Sequence, residues 1–456
     1  MYRGETHKNP QDKPLYTALQ PPASCGHIAS ARAQSTARPT STPRTGLCEM
    51  PRGKENKKKI PDPDPHTGAI QQRGGERSAA AAIERDLPYL EIPRDDEDWR
   101  FVKAHRVGDE DAQAFFDRYG FVVFGALDAH ETELSRREIV EYIAASREGF
   151  EAGDESTWGL WRSQQFGMPP NGDESAYWQP QLARNRRHPR VATAFAQLLR
   201  CPPSSLRCAH DRWALYPNGI RTRRNVHLDI NPWLYAYGQA AIAARRAEYA
   251  YASAGELFGG SDNLVSSAEG PHLQGTLALR DNEEHDAGFI CVPGSHAIFD
   301  RWAAALPELR AGGPRYDFPD HSVYHKQAQR VPVREGSLIV WDVRLVHGST
   351  PDQSPHGVPT RSRFVQFVTL RTCRLLGDEQ AARRQALVRR LFAAHRLEEP
   401  RDPLERAVAG LEAVKVERPV DPVAMLVAGL EAVDGTGHGL PAAPAPPGLA
   451  ATPARE

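Results

Sequence analysis

Ser337-Leu338-Ile339-Val340-Trp341-Asp342, continued by Val343-Arg344-Leu345-Val346-His347-Gly348-Ser349, is the stretch from which the fold is read. Its first five residues form a short run of β-formers that ends near a turn at Trp341-Asp342, as a buried strand does. Val343 to Val346 then carries the chain to His347. Similar runs occur at Arg212–Leu215, Leu273–Leu279, Phe289–Val292 and Phe364–Leu370. All lie beyond residue 205, all are bounded by Gly, Pro, Asn or Asp, and none alternates with regular helices. A parallel α/β sheet is therefore disfavoured. A mainly β architecture, a double-sheet barrel of the jelly-roll type with flanking helices, fits better.

Helical spacing appears mostly before these strands. Asp109–Tyr119 has acids at its start and apolar residues at helical intervals, and Gly120 ends it ahead of the strand Phe121–Phe124. Glu131–Ala145 and Val191–Leu199 read as further helices, Gln239–Ala250 as a helical insertion, and Asp378–Ala394 as a closing helix. Between residues 157 and 180, Trp158, Trp161, Phe166 and Trp178 stand among glycines and prolines. They read as an ordered aromatic loop that fills core, with a pocket wall including Trp158 as the functional alternative.

Three regions follow. Residues 1–83 are polar and rich in Pro, Gly and charge, and read as a disordered leader. Residues 84–395 hold the folded domain. Residues 396–456 read as a low-complexity tail in which Asp402-Pro403 with Ala409-Gly-Leu-Glu-Ala-Val414 recurs as Asp421-Pro422 with Ala428-Gly-Leu-Glu-Ala-Val433. Two copies are too few for a solenoid, so two short helices or a docking segment are expected.

The 456 residues are 40% hydrophobic and 25% charged with a net charge of −1, which gives a real core and no global pull toward nucleic acid or membrane. No apolar run is long enough for a membrane span. The six cysteines, at 25, 48, 201, 208, 291 and 373, include no CxxC pair. A structural zinc site and a disulfide scaffold are both disfavoured, and a reducing compartment is expected. Residues 20–47 carry Ser, Thr, Arg and Pro but no acid. The expected compartment is the cytoplasm, with an organellar address in this leader as the alternative.

Asn225-Val226-His227-Leu228-Asp229 supplies the chemistry to go with His347. On a strand, residues i and i+2 share a face, so His227 and Asp229 project together. His347 joins them from a different strand, the one expected over Ser337–Val346. Two imidazoles and a carboxylate leave three positions open on an octahedral non-heme iron. An HxD triplet alone is weak in a chain with 17 histidines. Its combination with a late His-Gly-Ser and the arginine-bearing strand Arg361-Ser-Arg363-Phe-Val-Gln-Phe is far stronger. Zinc hydrolysis is the rival use of the same ligands, and Arg363 weighs against it. Arg221, Arg223 and Arg224 form a basic cluster, read as a solvated loop face or as a site for an anionic substrate. Arg212 either faces such an anion or makes a surface pair. His296 is read as part of a turn, and His210, His272 and His285 as ordinary histidines.

Residues from about 109 to 372 resemble the phytanoyl-CoA dioxygenase family of iron- and 2-oxoglutarate-dependent oxygenases. The resemblance rests on Ala114–Phe124, His227-Leu228-Asp229, Leu277–Asp281, Gly288–His296 with its Pro-Gly-Ser-His, and Arg334–Asp342 running on to His347-Gly-Ser349. It implies a double-stranded β-helix, cupin-like, with Fe(II) held by His227, Asp229 and His347. It implies that Ser349 and a following arginine hold the distal carboxylate of 2-oxoglutarate. Arg363 is favoured because it opens the apolar strand, although Arg361 lies nearer the family's usual separation. The implied reaction hydroxylates a small organic molecule, a metabolite or acyl-type substrate, and releases succinate and carbon dioxide. The carboxylate of Asp229 favours hydroxylation over halogenation. A protein or nucleic-acid oxygenase and a non-catalytic β-barrel binding protein are the alternatives.

Overall fold

A computed structural model describes residues 77–161, 167–170, 173–218, 222–232, 250–257, 272–306, 315–354, 361–372 and 378–412. The chain divides into units 1–64 and 65–456, and every described residue belongs to the second. Arg221, Phe166, residues 239–249 of the expected insertion and the second copy of the tail repeat lie outside the described residues.

Eleven strands are described: β1 Phe121–Gly125, β2 Leu206–Ala209, β3 Trp213–Tyr216, β4 Asn225–Leu228, β5 Leu273–Ala278, β6 Gly288–Cys291, β7 Tyr316–Asp317, β8 Gln329–Arg330, β9 Ser337–Asp342, β10 His347–Thr350 and β11 Arg363–Thr372. They form two antiparallel sheets. One has the order β1-β9-β5-β11-β2, with β3 also paired to β11, and the other has the order β7-β4-β10-β6-β8. From β3 to β6 successive strands alternate between the sheets, and β9, β10 and β11 alternate again. Where the sheets face each other, the Trp341 ring packs on Phe289 at 4.8 Å and on His347 at 5.2 Å.

Three expectations need correction. Among the described residues helix exceeds strand, so the chain is not mainly β by content. No strand pair joins the two sheets there, so they face each other without closing into a barrel. His347 does not lie on the Ser337 strand either. The chain leaves β9 at Asp342, turns through Val343–Val346 and opens β10 in the opposite sheet.

The helices cover the outer surfaces. The helix Glu110–Tyr119 ends at Gly120, whose φ of 78° is the left-handed conformation that glycine adopts without steric cost. The helix Ala129–Ser146 starts with a capping box between Asp128 and Glu131. Against it, Asn185 of the helix Pro180–Arg187 donates to Ser135 and to Gln366 of β11, so the buried amides are satisfied. Trp158 is core: its ring stacks on Phe150 and meets Phe364 edge-on at 5.5 Å. The first copy of the tail repeat, as far as Glu412, is part of the fold. Asp402 caps the helix Pro403–Ala409, and Val408 and Leu411 are fully buried.

β4 and β10 pair with His227 opposite His347 and Asn225 opposite Ser349. Gly348 lies between, where an added Cβ would land on the backbone oxygen of Asn225. We predict that Gly348→Ala forces β10 off β4, costs about 1–3 kcal/mol by overpacking, and weakens metal binding. Thermal unfolding together with a metal titration checks both.

His210 is buried and stacks on Trp178 at 4.3 Å. Burial holds its pKa well below the ordinary imidazole value, and the charges of Arg186, Arg384 and Arg187 act in the same sense. The unfolded chain therefore binds a proton that the folded chain refuses, and stability is lost as pH falls below about 6.5. Each pH unit below that point removes up to about 1.4 kcal/mol for this group. Unfolding midpoints of wild type and His210→Gln should diverge between pH 7 and 5, with the variant less acid-sensitive.

Candidate metal centre and its surroundings

The two histidines meet because β4 and β10 are in register. Their ring centroids lie 4.6 Å apart, and both residues are buried. The Asp229 carboxylate completes the group, with Oδ1 3.3 Å from His227 Nε2 and Oδ2 3.5 Å from His347 Nε2. One donor atom from each residue lies within 4.8 Å of the other two. β4 ends at Leu228, so Asp229 sits in the bend that follows rather than at a strand position. Its side chain keeps 37% of its surface, unlike the imidazoles.

Hydrogen bonding sets the chemistry of each donor. His347 Nδ1 lies 2.9 Å from the carbonyl of Leu345, and a carbonyl only accepts. The Nδ1–H is therefore the donor, and in the neutral ring Nε2 is left with its lone pair toward Asp229. Desolvation lowers the pKa of His227, against the pull of Asp229, so this ring is neutral at pH 7. For Asp229 desolvation acts upward, but the adjacent histidines His227 and His347 outweigh it and hold the carboxyl well below its usual range. Neutral imidazoles and an ionised carboxylate are the donor forms a divalent iron takes.

Arg363 opens β11 opposite Tyr216, and its guanidinium lies over the Tyr216 ring at 5.0 Å. The residue is 8% exposed, its Nε has no hydrogen-bond partner, and no carboxylate pairs with it among the described residues. Buried Arg330 lies close enough to feel its charge. Burial first, then Arg363, pushes the Arg330 guanidinium down to about 9. Arg330 is satisfied by Asn282 and by carbonyls such as those of Phe289 and Glu283, whereas Arg363 is not. A buried cation with no anion beside it among the described residues is costly. Arg361 differs: it is half-exposed and pairs with Glu283 at 3.1 Å. It lines a surface pocket with Glu155, Arg280, Asp281 and Glu335. Ser349 exchanges two hydrogen bonds with Asn225, at 3.1 and 3.2 Å, and shares strand parity with His347.

The other expected site residues have different surroundings. Arg224 donates to the carbonyls of His325 and Ala328 and so closes the C-terminal end of the helix Val323–Gln327. Arg223 makes a surface pair with Asp320 at 3.4 Å, with 81% of its side chain exposed. These surroundings match the solvated-loop reading of the cluster, with one arginine committed to a helix end and the other in an exposed pair. Arg212 lies 3.6 Å from Asp211 just before β3. Trp158, being core, is not a free pocket wall. His296 bonds to the carbonyl of Asp117 within the turn that follows Gly294, outside the metal group.

Sequence reasoning missed Gln274, whose amide donates to Asp229 Oδ2 at 3.0 Å, and Arg315, 3.9 Å from Asp229 Oδ1. It also missed Tyr216 and Phe289 as neighbours of the site. Pairings between distant strands bring these residues in, and no local pattern marks them.

The chain is similar to a known family and to several solved structures. The family model described as phytanoyl-CoA dioxygenase (PhyH) matches residues 116–361. A Dictyostelium discoideum protein named "Putative phytanoyl-CoA dioxygenase" is 29% identical over 269 residues, 56% of this chain and 73% of that protein. Among solved structures, EctD from S. alaskensis in its apo form is 16% identical, covering 62% of this chain and 84% of its own, with a TM-score of 0.35. The GlcNAc-inducible gene 2 protein of Candida albicans is 14% identical, covering 80% and 89%, with a TM-score of 0.44. With the family match spanning more than half of the sequence, and the two-histidine, one-carboxylate group inside it, the chain belongs to the phytanoyl-CoA dioxygenase family of non-heme iron, 2-oxoglutarate-dependent oxygenases.

Proposed function

We propose that this enzyme hydroxylates a small organic molecule, a metabolite or acyl-type compound, at the expense of 2-oxoglutarate. His227, Asp229 and His347 hold Fe(II), and Arg363, assisted by Ser349, holds the distal carboxylate of 2-oxoglutarate. The observation that carries the reading is the pairing of a three-donor group with a buried, unpaired guanidinium. The alternation of strands between two facing sheets supports a double-stranded β-helix as the frame.

When bound, iron and 2-oxoglutarate together supply oxygen activation coupled to release of succinate and carbon dioxide. The protein's share is positional and electrostatic. The Leu345 carbonyl fixes the tautomer and orientation of His347. Phe289 and Trp341 flank the same ring and keep an apolar wall against it, which limits water beside the reacting centre. The guanidinium of Arg363 offers paired charge-assisted hydrogen bonds to a carboxylate and sets where the cosubstrate lies relative to the metal donors. Asp229 keeps a carboxylate where a halide would need an open position, which supports hydroxylation as the outcome.

Titrating 2-oxoglutarate into Fe(II)-loaded protein without oxygen should produce a weak visible charge-transfer band. The band should be absent in His227→Ala. Its absence in folded, iron-loaded wild type would overturn the reading. Arg363→Met should weaken 2-oxoglutarate binding by 100-fold or more, about 3 kcal/mol for breaking a buried charge pair. Arg361→Met should change it by less than about threefold, since exposed pairs contribute little. Dissociation constants from the same titration separate the two.

A further inference from the structure

Asp229 is the weakly held member of the metal group. His227 and His347 are fixed by strand pairing and burial, but Asp229 follows the end of β4 and is partly exposed. It also has a competitor on its open side, where the Arg315 guanidinium stands 3.9 Å from Oδ1 and is itself tied to Asp317 at 2.9 Å. Something must keep the carboxylate turned inward.

Gln274 is placed to do so. It lies on β5, in the sheet opposite the histidines, and is buried. Its Nε2 donates to Asp229 Oδ2 at 3.0 Å, and its Oε1 accepts from Trp341 Nε1 at 3.1 Å. Gln274 and Trp341 are cross-strand partners on β5 and β9, so the second bond is set by sheet register. The orientation of the amide is forced from both ends. An indole nitrogen only donates and a carboxylate only accepts, so the amide oxygen must face Trp341 and its NH₂ must face Asp229.

We infer that Gln274, oriented by Trp341, is a positioning residue that holds Asp229 in the metal-binding direction. The indole, amide and carboxylate form one directed chain from the six-stranded sheet into the metal group. Removing the amide frees Asp229 to turn toward Arg315 and solvent. Removing only the indole N–H frees the amide to flip and present its oxygen to the carboxylate. The role rests on the metal-site reading given above.

The test is a Co(II) titration of metal-free protein, read by visible absorption and calorimetry, with apo unfolding midpoints measured alongside. Gln274→Met keeps length and volume, and Trp341→Phe keeps a ring against Phe289 and His347. Gln274→Met should weaken Co(II) binding by about 10–100-fold, the usual effect of losing a bond to a metal ligand. Trp341→Phe should weaken it by less. The double variant should be no weaker than Gln274→Met alone, because the indole acts only through the amide. Wild-type affinity in folded Gln274→Met, with only its unfolding midpoint lowered, would reduce Gln274 to packing. Additive losses in the double variant would break the proposed chain. Wild type that binds no Co(II) would instead remove the metal reading itself, and the positioning role with it. Should Gln274→Met fail to fold, Trp341→Phe decides alone: a Co(II) affinity unchanged from wild type overturns the inference.

Discussion

The register of β4 against β10 is the constraint on which the centre depends. A shift of one residue would turn His347 to the other face of its sheet and bring Val226 opposite it. The register is held at short range. Gly348 admits the Asn225 backbone where no side chain fits, and Asn225 and Ser349 clamp the next pair through two hydrogen bonds. The backbone on either side is tied as well, Val292 to Val346 and Phe318 to Val226. The site is thus made rigid by backbone pairing at the histidines and by side-chain bonds at the carboxylate.

The arginines show how burial separates structural from chemical use. Arg186 is fully buried, yet two of its nitrogens donate to the carbonyls of Tyr177 and Asp211. Arg224 and Arg330 likewise end on carbonyls. Backbone oxygens supply enough partial charge for a guanidinium to remain inside without an acid. Arg363 is buried to a similar degree but faces an aromatic ring, which answers only part of its charge. That difference, rather than the density of arginine in the sequence, sets Arg363 apart from these three.

The sequence made much of this readable. The strands after residue 205 and the helices at 110–119, 129–146, 189–199 and 378–394 follow from local patterning, which acts over a few residues. The three donors were identifiable because their residue types are uncommon together. Their mounting was not. Strand parity predicted a shared face for His227 and Asp229, whereas the strand ends between them. A turn was expected near Trp341-Asp342, and Asp342 makes it by bonding the backbone and side chain of Arg344, but nothing local showed that the chain crosses there to the opposite sheet. Arg223 and Arg224 looked like an anchor because they are adjacent in sequence. Their partners, Asp320 and the helix end near 325, are about 100 residues away. The tail repeat was legible, but the burial of its first copy was not, because Leu411 in a polar, alanine-rich setting gives no local sign of being core.

The pairing of β4 with β10 also fixes when the centre can exist. His227 and His347 are neighbours in space but separated by 120 positions in the chain. A growing polypeptide that has reached Val346 already carries His227, Asp229, Gln274 and Trp341, yet lacks the third donor and the arginine of β11. Contacts of such long sequence separation form late in folding. A metal bound by all three donors can therefore be taken up only after β10 has been made and paired with β4. A nascent chain that ends before His347 has at most the His227-Asp229 pair, which is poorly suited to retain a metal.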